Sequence, residues 1–311
     1  MNEPAIAFDS VTKRYGAVTA VRELSLQVER GEMFGLIGPD GAGKTTTIRL
    51  MAGLVRADGG RIAVLGLDPV RSHRAATERV GYFSQRFSLY GDLSIDENVA
   101  FFAEIHGLRN YGAKRDRLLD LTQLTPFRTR LAERLSGGMK QKLALVCTLI
   151  HEPELILLDE PTTGVDPVAR REFWKLLSEF LSEGITILMA TPYLDEAERC
   201  SRVALLHEGH LLALDRPARI QESFDGELVE VVASPHREAS ALVTSLPGLD
   251  DVRTFGERLH VRVSRGEGEG AVARVREALT ARGLEVQGIR VIPPTLEDVF
   301  IERLHSRQAA S

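Results

Sequence analysis

One nine-residue stretch limits the fold of this chain more than any other. Gly38-Pro39-Asp40-Gly41-Ala42-Gly43-Lys44-Thr45-Thr46 follows the apolar run Met33-Phe34-Gly35-Leu36-Ile37 and leads into TTTIRLMAGL, a helix-forming segment with a glycine stop at Gly53. Strand, glycine-rich turn and helix form the context in which G-x-x-x-x-G-K-[ST] marks a phosphate cradle. Its glycines let the backbone wind close around an anion, so that successive N–H groups face phosphate oxygens. A helix starting near Lys44 adds the positive end of its dipole. Lys44 would bring a point charge to the β- and γ-phosphates, and Thr45 a hydroxyl to Mg²⁺. The stretch therefore predicts an α/β fold that binds a nucleoside triphosphate.

Length and composition bound the rest. The 311 residues suggest two domains, and a composition 43% hydrophobic and 27% charged is that of a globular chain needing no disulfide or metal for stability. The formal charge of −5 gives no overall pull toward nucleic acid, and none is expected as a partner. Cys147 and Cys200 stand in apolar contexts without C-x-x-C or zinc spacing and read as core residues of a reduced, cytosolic protein. The start, MNEPAIAFDS, lacks the basic and apolar regions of a signal peptide. The longest apolar runs are too short to span a bilayer, so a membrane role would come through a partner.

Along the chain, IAFDSV and AVTAVRELSLQVE alternate as strands, and Tyr15 falls in the turn between them. Its ring is either a turn aromatic or a platform for a purine base. After the phosphate loop come the strands RIAVLGLD and RVGYFSQ, the second closing at Gln85. From there the pattern turns helical: IDENVAFFAEIHGL carries apolar residues at Ile95, Val99, Phe102 and Ile105. A helical insert over about 87–150 is expected. Within it, Ser136-Gly137-Gly138 precedes a helix, so Ser136 serves either as an N-cap or as a ligand hydroxyl. The run LILL then delivers Asp159 and Glu160 at the end of a buried parallel strand, where α/β sheets bind ligands. Asp159 is placed to hold Mg²⁺ and Glu160 to polarise a water. Composition shifts near Asp215-Arg216-Pro217, and residues 226–305 read strand, helix, strand, strand, helix, strand and a last helix, a ferredoxin-like α+β unit. Residues 306–311 are expected to fray.

Taken together, GPDGAGKTT, Gln85, LSGGMKQ, LILLDEPT and GVD resemble, in that order, the ATP-binding subunit of an ABC transporter over residues 5–220. The resemblance implies the P-loop core of ABC type: a mixed sheet, an antiparallel β subdomain and a helical insert, filling residues 1–220. It implies ATP and Mg²⁺ as ligands. Tyr15 becomes the adenine-stacking residue, and Gln85 the Mg²⁺ and water contact at the membrane-subunit interface. Ser136, Gly137 and Gly138 become the signature that closes over ATP on a second subunit. Asp159 becomes the Mg²⁺ carboxylate, Glu160 the general base and Asp166 the contact across the dimer. The ending PPTLEDVFIERL is similar to that of the drug- and lipid-exporter branch, whose permeases are separate type-2 membrane subunits. That implies a peripheral protein on the inner face of the cell membrane, as a homodimer or heterodimer.

Two residues depart from the family pattern. Asp40 stands where asparagine is usual, and Pro192 stands where the family places a switch histidine touching the γ-phosphate. Proline offers neither an imidazole nor a backbone N–H, and loss of one preorganised donor costs on the order of 10²–10³ in rate. Two expectations follow: an ATPase driving export, or an ATP-binding regulatory subunit that hydrolyses little beside a complete partner. An ATPase of translation or repair is disfavoured, since no second GKT, SGG or LLDE occurs.

Overall fold

The computed structural model describes residues 3–85 and 89–309, in two units, Met1–Pro217 and Ala218–Ser311. The expected start of the helical insert at residue 87 lies outside the described residues, as do the last two residues of the expected tail.

In the first unit, β1 (Ile6–Tyr15) and β2 (Val18–Val28) form a hairpin, and β3 (Met33–Ile37) leads through the phosphate loop into α1 (Lys44–Met51). β4 (Gly59–Val64) pairs with β1, giving an antiparallel sheet of order β2-β1-β4. β1 is longer than IAFDSV suggests, because its register with β2 shifts after Phe8, Val11 and Lys13 and Ser10 takes φ 49°. Such bulges insert extra residues and break the alternation from which strand length is read.

Next come α2 (His73–Thr77), which the sequence pattern did not reveal, and β5 (Val80–Phe83). The insert follows as α3 (Ile95–Ile105), α4 (Gly112–Leu121), two short 3₁₀ turns and α5 (Gly137–Leu149), with no strand among its described residues. A capping box starts α3: Ser94 Oγ accepts from the Glu97 N–H while the Glu97 carboxylate accepts from the Ser94 N–H. The unit continues with β6 (Leu155–Asp159), α6 (Pro167–Ser182), β7 (Thr186–Thr191), α7 (Leu194–Ala197), β8 (Arg202–His207) and β9 (His210–Asp215).

The main sheet has the order β5-β6-β7-β3-β8-β9, parallel except for β9. Every residue of β3, β6 and β7 is buried, which explains why their sequences are apolar apart from Asp159 and the two threonines at the ends of β7. Truncating one such side chain, Leu157→Ala for example, would cost about 2–5 kcal/mol. Ile37 pairs with Thr191 and Asp159 with Ala190, so the loops leaving β3, β6 and β7 emerge side by side at the carboxyl edge. Cys147 and Cys200 are buried free thiols, their pKa pushed up by burial.

The second unit follows α8 (Pro217–Glu222) with β10 (Glu227–Ser234), α9 (His236–Thr244), β11 (Asp251–Phe255), β12 (Arg258–Val263), α10 (Gly268–Ala281), β13 (Glu285–Ile292) and α11 (Leu296–Ala309). Its sheet, β11-β12-β10-β13, is antiparallel throughout, so the order is the βαββαβ arrangement. Val229, Val231, Leu259 and Val261 face Val243 of α9 and Val275 and Leu279 of α10 in one core. α11 runs on to Ala309, through most of the segment whose composition suggested fraying.

Candidate nucleotide-binding and hydrolysis site

The phosphate loop is shaped by close backbone approaches. A Cβ on Gly38 would lie 2.2 Å from the Leu206 carbonyl oxygen, and one on Gly43, at φ 100°, 2.3 Å from that of Ala20. Only glycine fits either place. Residues 40–46 line a cleft of about 620 Å³ together with Val18, Thr19, Ala20 and Arg22 of β2 and with Gln85, Glu160 and Glu208.

Lys44 is almost fully buried. Its Nζ donates to the carbonyls of Gly38 at 2.8 Å and Pro39 at 3.1 Å, and lies 3.2 Å from Glu160 Oε1. The ammonium thus occupies the loop's own acceptors and the neighbouring carboxylate. Glu160 Oε2 accepts from Gln85 Nε2 at 3.1 Å and Thr163 Oγ1 at 3.4 Å. The backbone of Glu160 is left-handed, φ 52°, and its N–H donates to the Ala190 carbonyl at 3.0 Å. That conformation costs a non-glycine residue about 1–3 kcal/mol and is typical of functional turns.

Asp159 Oδ1 accepts from Thr45 Oγ1 at 3.0 Å, whereas its buried Oδ2 has no hydrogen-bond partner. Burial raises its carboxyl above the ordinary aspartate value; the Thr45 hydrogen bond opposes this and the Glu160 charge adds to it. A buried oxygen without a donor, beside a threonine hydroxyl, is a donor set suited to a hard cation such as Mg²⁺.

Other candidates lie apart from this cluster. Asp40 lines the cleft with an exposed side chain. Tyr15 is not among the lining residues; its ring is half-exposed, with Lys13 Nζ 5.3 Å from its centre. Ser136 caps α5, its Oγ accepting from the Met139 N–H, and Gly137 begins that helix. At Gly138 a Cβ would lie 2.7 Å from the Ala169 Cβ, so glycine lets α5 approach α6. Asp166 caps α6 through the Val168 and Ala169 N–H groups, both at 3.0 Å. Sequence reasoning missed Arg22 and Glu208 on the cleft wall and Thr163 beside Glu160. Arg22 reads as a solvent-facing strand position until its N–H is found on the Gly209 carbonyl at 2.8 Å.

Comparison with known proteins identifies the family. The profile of the ABC transporter family matches residues 21–163, and that of the ATP-binding protein DrrA1-3-like, C-terminal domain matches residues 216–304. The daunorubicin resistance ATP-binding protein DrrA3 of Streptomyces coeruleorubidus is 35% identical over 304 residues, covering 97% of this chain and 96% of that protein. The chain belongs to the ATP-binding family of ABC transporters. This is a family of ATPases coupled to transport, and the C-terminal match puts the chain in its type-2, drug-resistance branch. The probable multidrug ABC transporter ATP-binding protein YbhF of Escherichia coli (strain K12) is 39% identical over 311 residues, 98% of this chain and 53% of that protein. The chain thus spans about half the length of YbhF. A solved structure of the ATP binding subunit of an ABC transporter superposes with a TM-score of 0.65 at 30% identity, over 71% of this chain and 93% of that one. The ABC ATPase fold of the first unit is shared with it.

Proposed function

We propose that this chain hydrolyses ATP with Glu160 as general base and thereby powers export by a separate membrane permease. The observation that carries the reading is the buried cluster at the carboxyl edge: Glu160 held by Gln85 and Thr163 beside Lys44, next to an Asp159 oxygen without a donor. In this reading ATP draws Lys44 from the Gly38 and Pro39 carbonyls onto its β- and γ-phosphates, and residues 41–46 cradle them. Releasing Lys44 frees Glu160 to take a proton from a water oriented by Gln85. That oxygen bonds to the γ-phosphorus as the bond to the β–γ bridging oxygen breaks, and ADP leaves with that electron pair. Asp159 and Thr45 would hold Mg²⁺, which would neutralise phosphate charge when bound.

Tyr15, Ser136, Gly137, Gly138 and Asp166 act on the nucleotide's outer side. The exposed Tyr15 ring stacks on adenine, and the other four reach ATP on a second subunit, which explains why they stand apart from the cleft of their own chain. The second subunit is another copy or a related ATP-binding chain. No described helix is long and apolar enough to cross a membrane. In this reading the permease is a separate chain, met at the cytoplasmic face. The multidrug and daunorubicin-resistance relatives support export as the direction.

Pro192 supports a second reading, in which the chain binds ATP but hydrolyses it weakly beside a complete partner. Turnover by the purified chain separates the two. Glu160→Gln should lower kcat on the order of 10²–10³-fold, whereas measurable turnover should not require Pro192→His. A silent chain that Pro192→His brings to life would establish the second reading instead.

A further inference from the structure

Just beyond Pro192 lies a carboxylate that the hydrolysis scheme does not use. Glu196, in α7, is 1% exposed. Its Oε2 accepts from Thr191 Oγ1 at 2.7 Å, and its Oε1 from Thr162 Oγ1 at 2.7 Å and Trp174 Nε1 at 3.5 Å. Arg170 Nε lies 3.6 Å from the same Oε1, and its guanidinium stacks over the Tyr193 ring at 4.5 Å. Tyr193 in turn donates its N–H to Thr191 Oγ1 at 3.1 Å.

These donors stand at chosen places. Thr162 is two residues beyond Glu160 and sits in the turn that runs to Asp166; the Val165 N–H closes on its carbonyl at 3.2 Å. Thr191 ends β7 immediately before Pro192, and its carbonyl accepts from the Gly38 N–H of the phosphate loop at 3.4 Å. The residue before it, Ala190, accepts the Glu160 N–H. One carboxylate therefore fixes the 160–166 turn against the strand end that contacts the phosphate loop. Hydroxyl hydrogen bonds to a carboxylate are stronger than neutral ones, and together they hold a left-handed glutamate in place.

We propose that Glu196 is a positioning residue for ATP hydrolysis, keeping Glu160 and Asp166 in register with the phosphate loop where no imidazole is present at position 192. The proposal rests on Glu160 being the general base. A displacement of about 1 Å in a reacting group costs on the order of 10²-fold in rate while leaving ground-state binding nearly intact, so the expected signature is a fall in kcat without a matching rise in KM.

The test uses the full chain and compares ATP turnover and melting temperature for the unaltered protein, Glu160→Gln, Glu196→Gln, Thr162→Val and Thr162→Ser. Glu196→Gln replaces one of the two oxygens that accept from Thr162 and Thr191 by an amide donor, and Thr162→Val removes the Thr162 bond, both with little change of volume. Each should lower kcat about 10-fold or more with KM within about 3-fold, and Thr162→Ser, which restores the hydroxyl, should return kcat to within about 3-fold of the unaltered protein. Should Glu196→Gln fold poorly, the Thr162 pair decides alone. Normal kcat in Thr162→Val, or a loss that Thr162→Ser does not restore, overturns the proposal. Glu160→Gln turning over at the unaltered rate overturns the underlying reading, whereas an inactive Glu160→Gln beside fully active Glu196→Gln and Thr162→Val overturns this inference alone.

Discussion

Both units bury carboxylates, and they treat them in opposite ways. In the C-terminal unit Glu230 accepts from Arg258 at 2.6 Å and Arg290 at 3.0 Å. Asp298 faces His260 Nδ1 at 2.9 Å and accepts from the Thr295 N–H and hydroxyl, and Glu302 accepts from the Asp225 N–H at 3.1 Å. Burial pushes Glu230 and Asp298 up, but their cationic and hydrogen-bonding partners outweigh it and hold both below the ordinary carboxylate values. In the ATP-binding unit burial wins at Asp159, whose pKa is raised and whose Oδ2 has no partner. Burial alone therefore does not mark function. Asp159 differs by an oxygen left without a partner, which suits a ligand, whereas the partners of Glu230 and Asp298 complete a scaffold. Glu196 stands between the two, fully partnered yet bonded to the segments that carry the site.

The sharpest way to break this contrast is to remove a partnered group. Asp298→Ala should cost the C-terminal unit about 3–5 kcal/mol, because it strands His260 and the Thr295 donors; urea unfolding measures it, and a loss under about 1 kcal/mol would dissolve the distinction. Next in size, Lys44→Ala should raise the dissociation constant for ATP on the order of 100-fold, or about 2.7 kcal/mol. Equilibrium binding of a fluorescent ATP analogue reads this. Acid offers a subtler division. Groups with a lowered folded pKa, Glu230 and Asp298, contribute stability above the ordinary carboxylate range and lose it as pH falls through their depressed values. Asp159, with a raised pKa, opposes folding when ionised and is relieved by the same acidification. Glu230→Gln should accordingly weaken the acid-side loss of stability of the chain, and Asp159→Asn should deepen it, read by urea unfolding at a series of pH values.

Much of this was legible in sequence, and the reasons are physical. The phosphate loop, the LILLDE strand and the βαββαβ order are local patterns, each set by residues adjacent in the chain. What was illegible depends on distant partners or broken patterns. The bulges at Ser10 and after Val11 interrupt alternation, so β1 read short. α2 spans five residues with one buried side chain, too few for a period to show. Ser136 and Asp166 read as nucleotide contacts by resemblance, and their side chains here serve as caps, a use the sequence left open for Ser136. Glu196 in LDEAE looks like one more exposed acid of a surface helix; only the convergence of Thr162, Trp174 and Thr191 reveals a buried hub.

The contrast turns on Asp159, and Asp159→Asn tests it most directly. Thermal unfolding of this variant and of the unaltered chain, with and without Mg²⁺ and ATP, reads both halves of the claim at once. Without ligand, Asp159→Asn should be the more stable at neutral pH, since a buried charge with an unpartnered oxygen is removed. With ligand, Mg²⁺ should add stability beyond ATP alone in the unaltered chain and add little in the variant. A variant destabilised on its own, or one that gains from Mg²⁺ as much as the unaltered chain does, would show that Asp159 is a scaffold residue like Asp298 and not the place held for the cation.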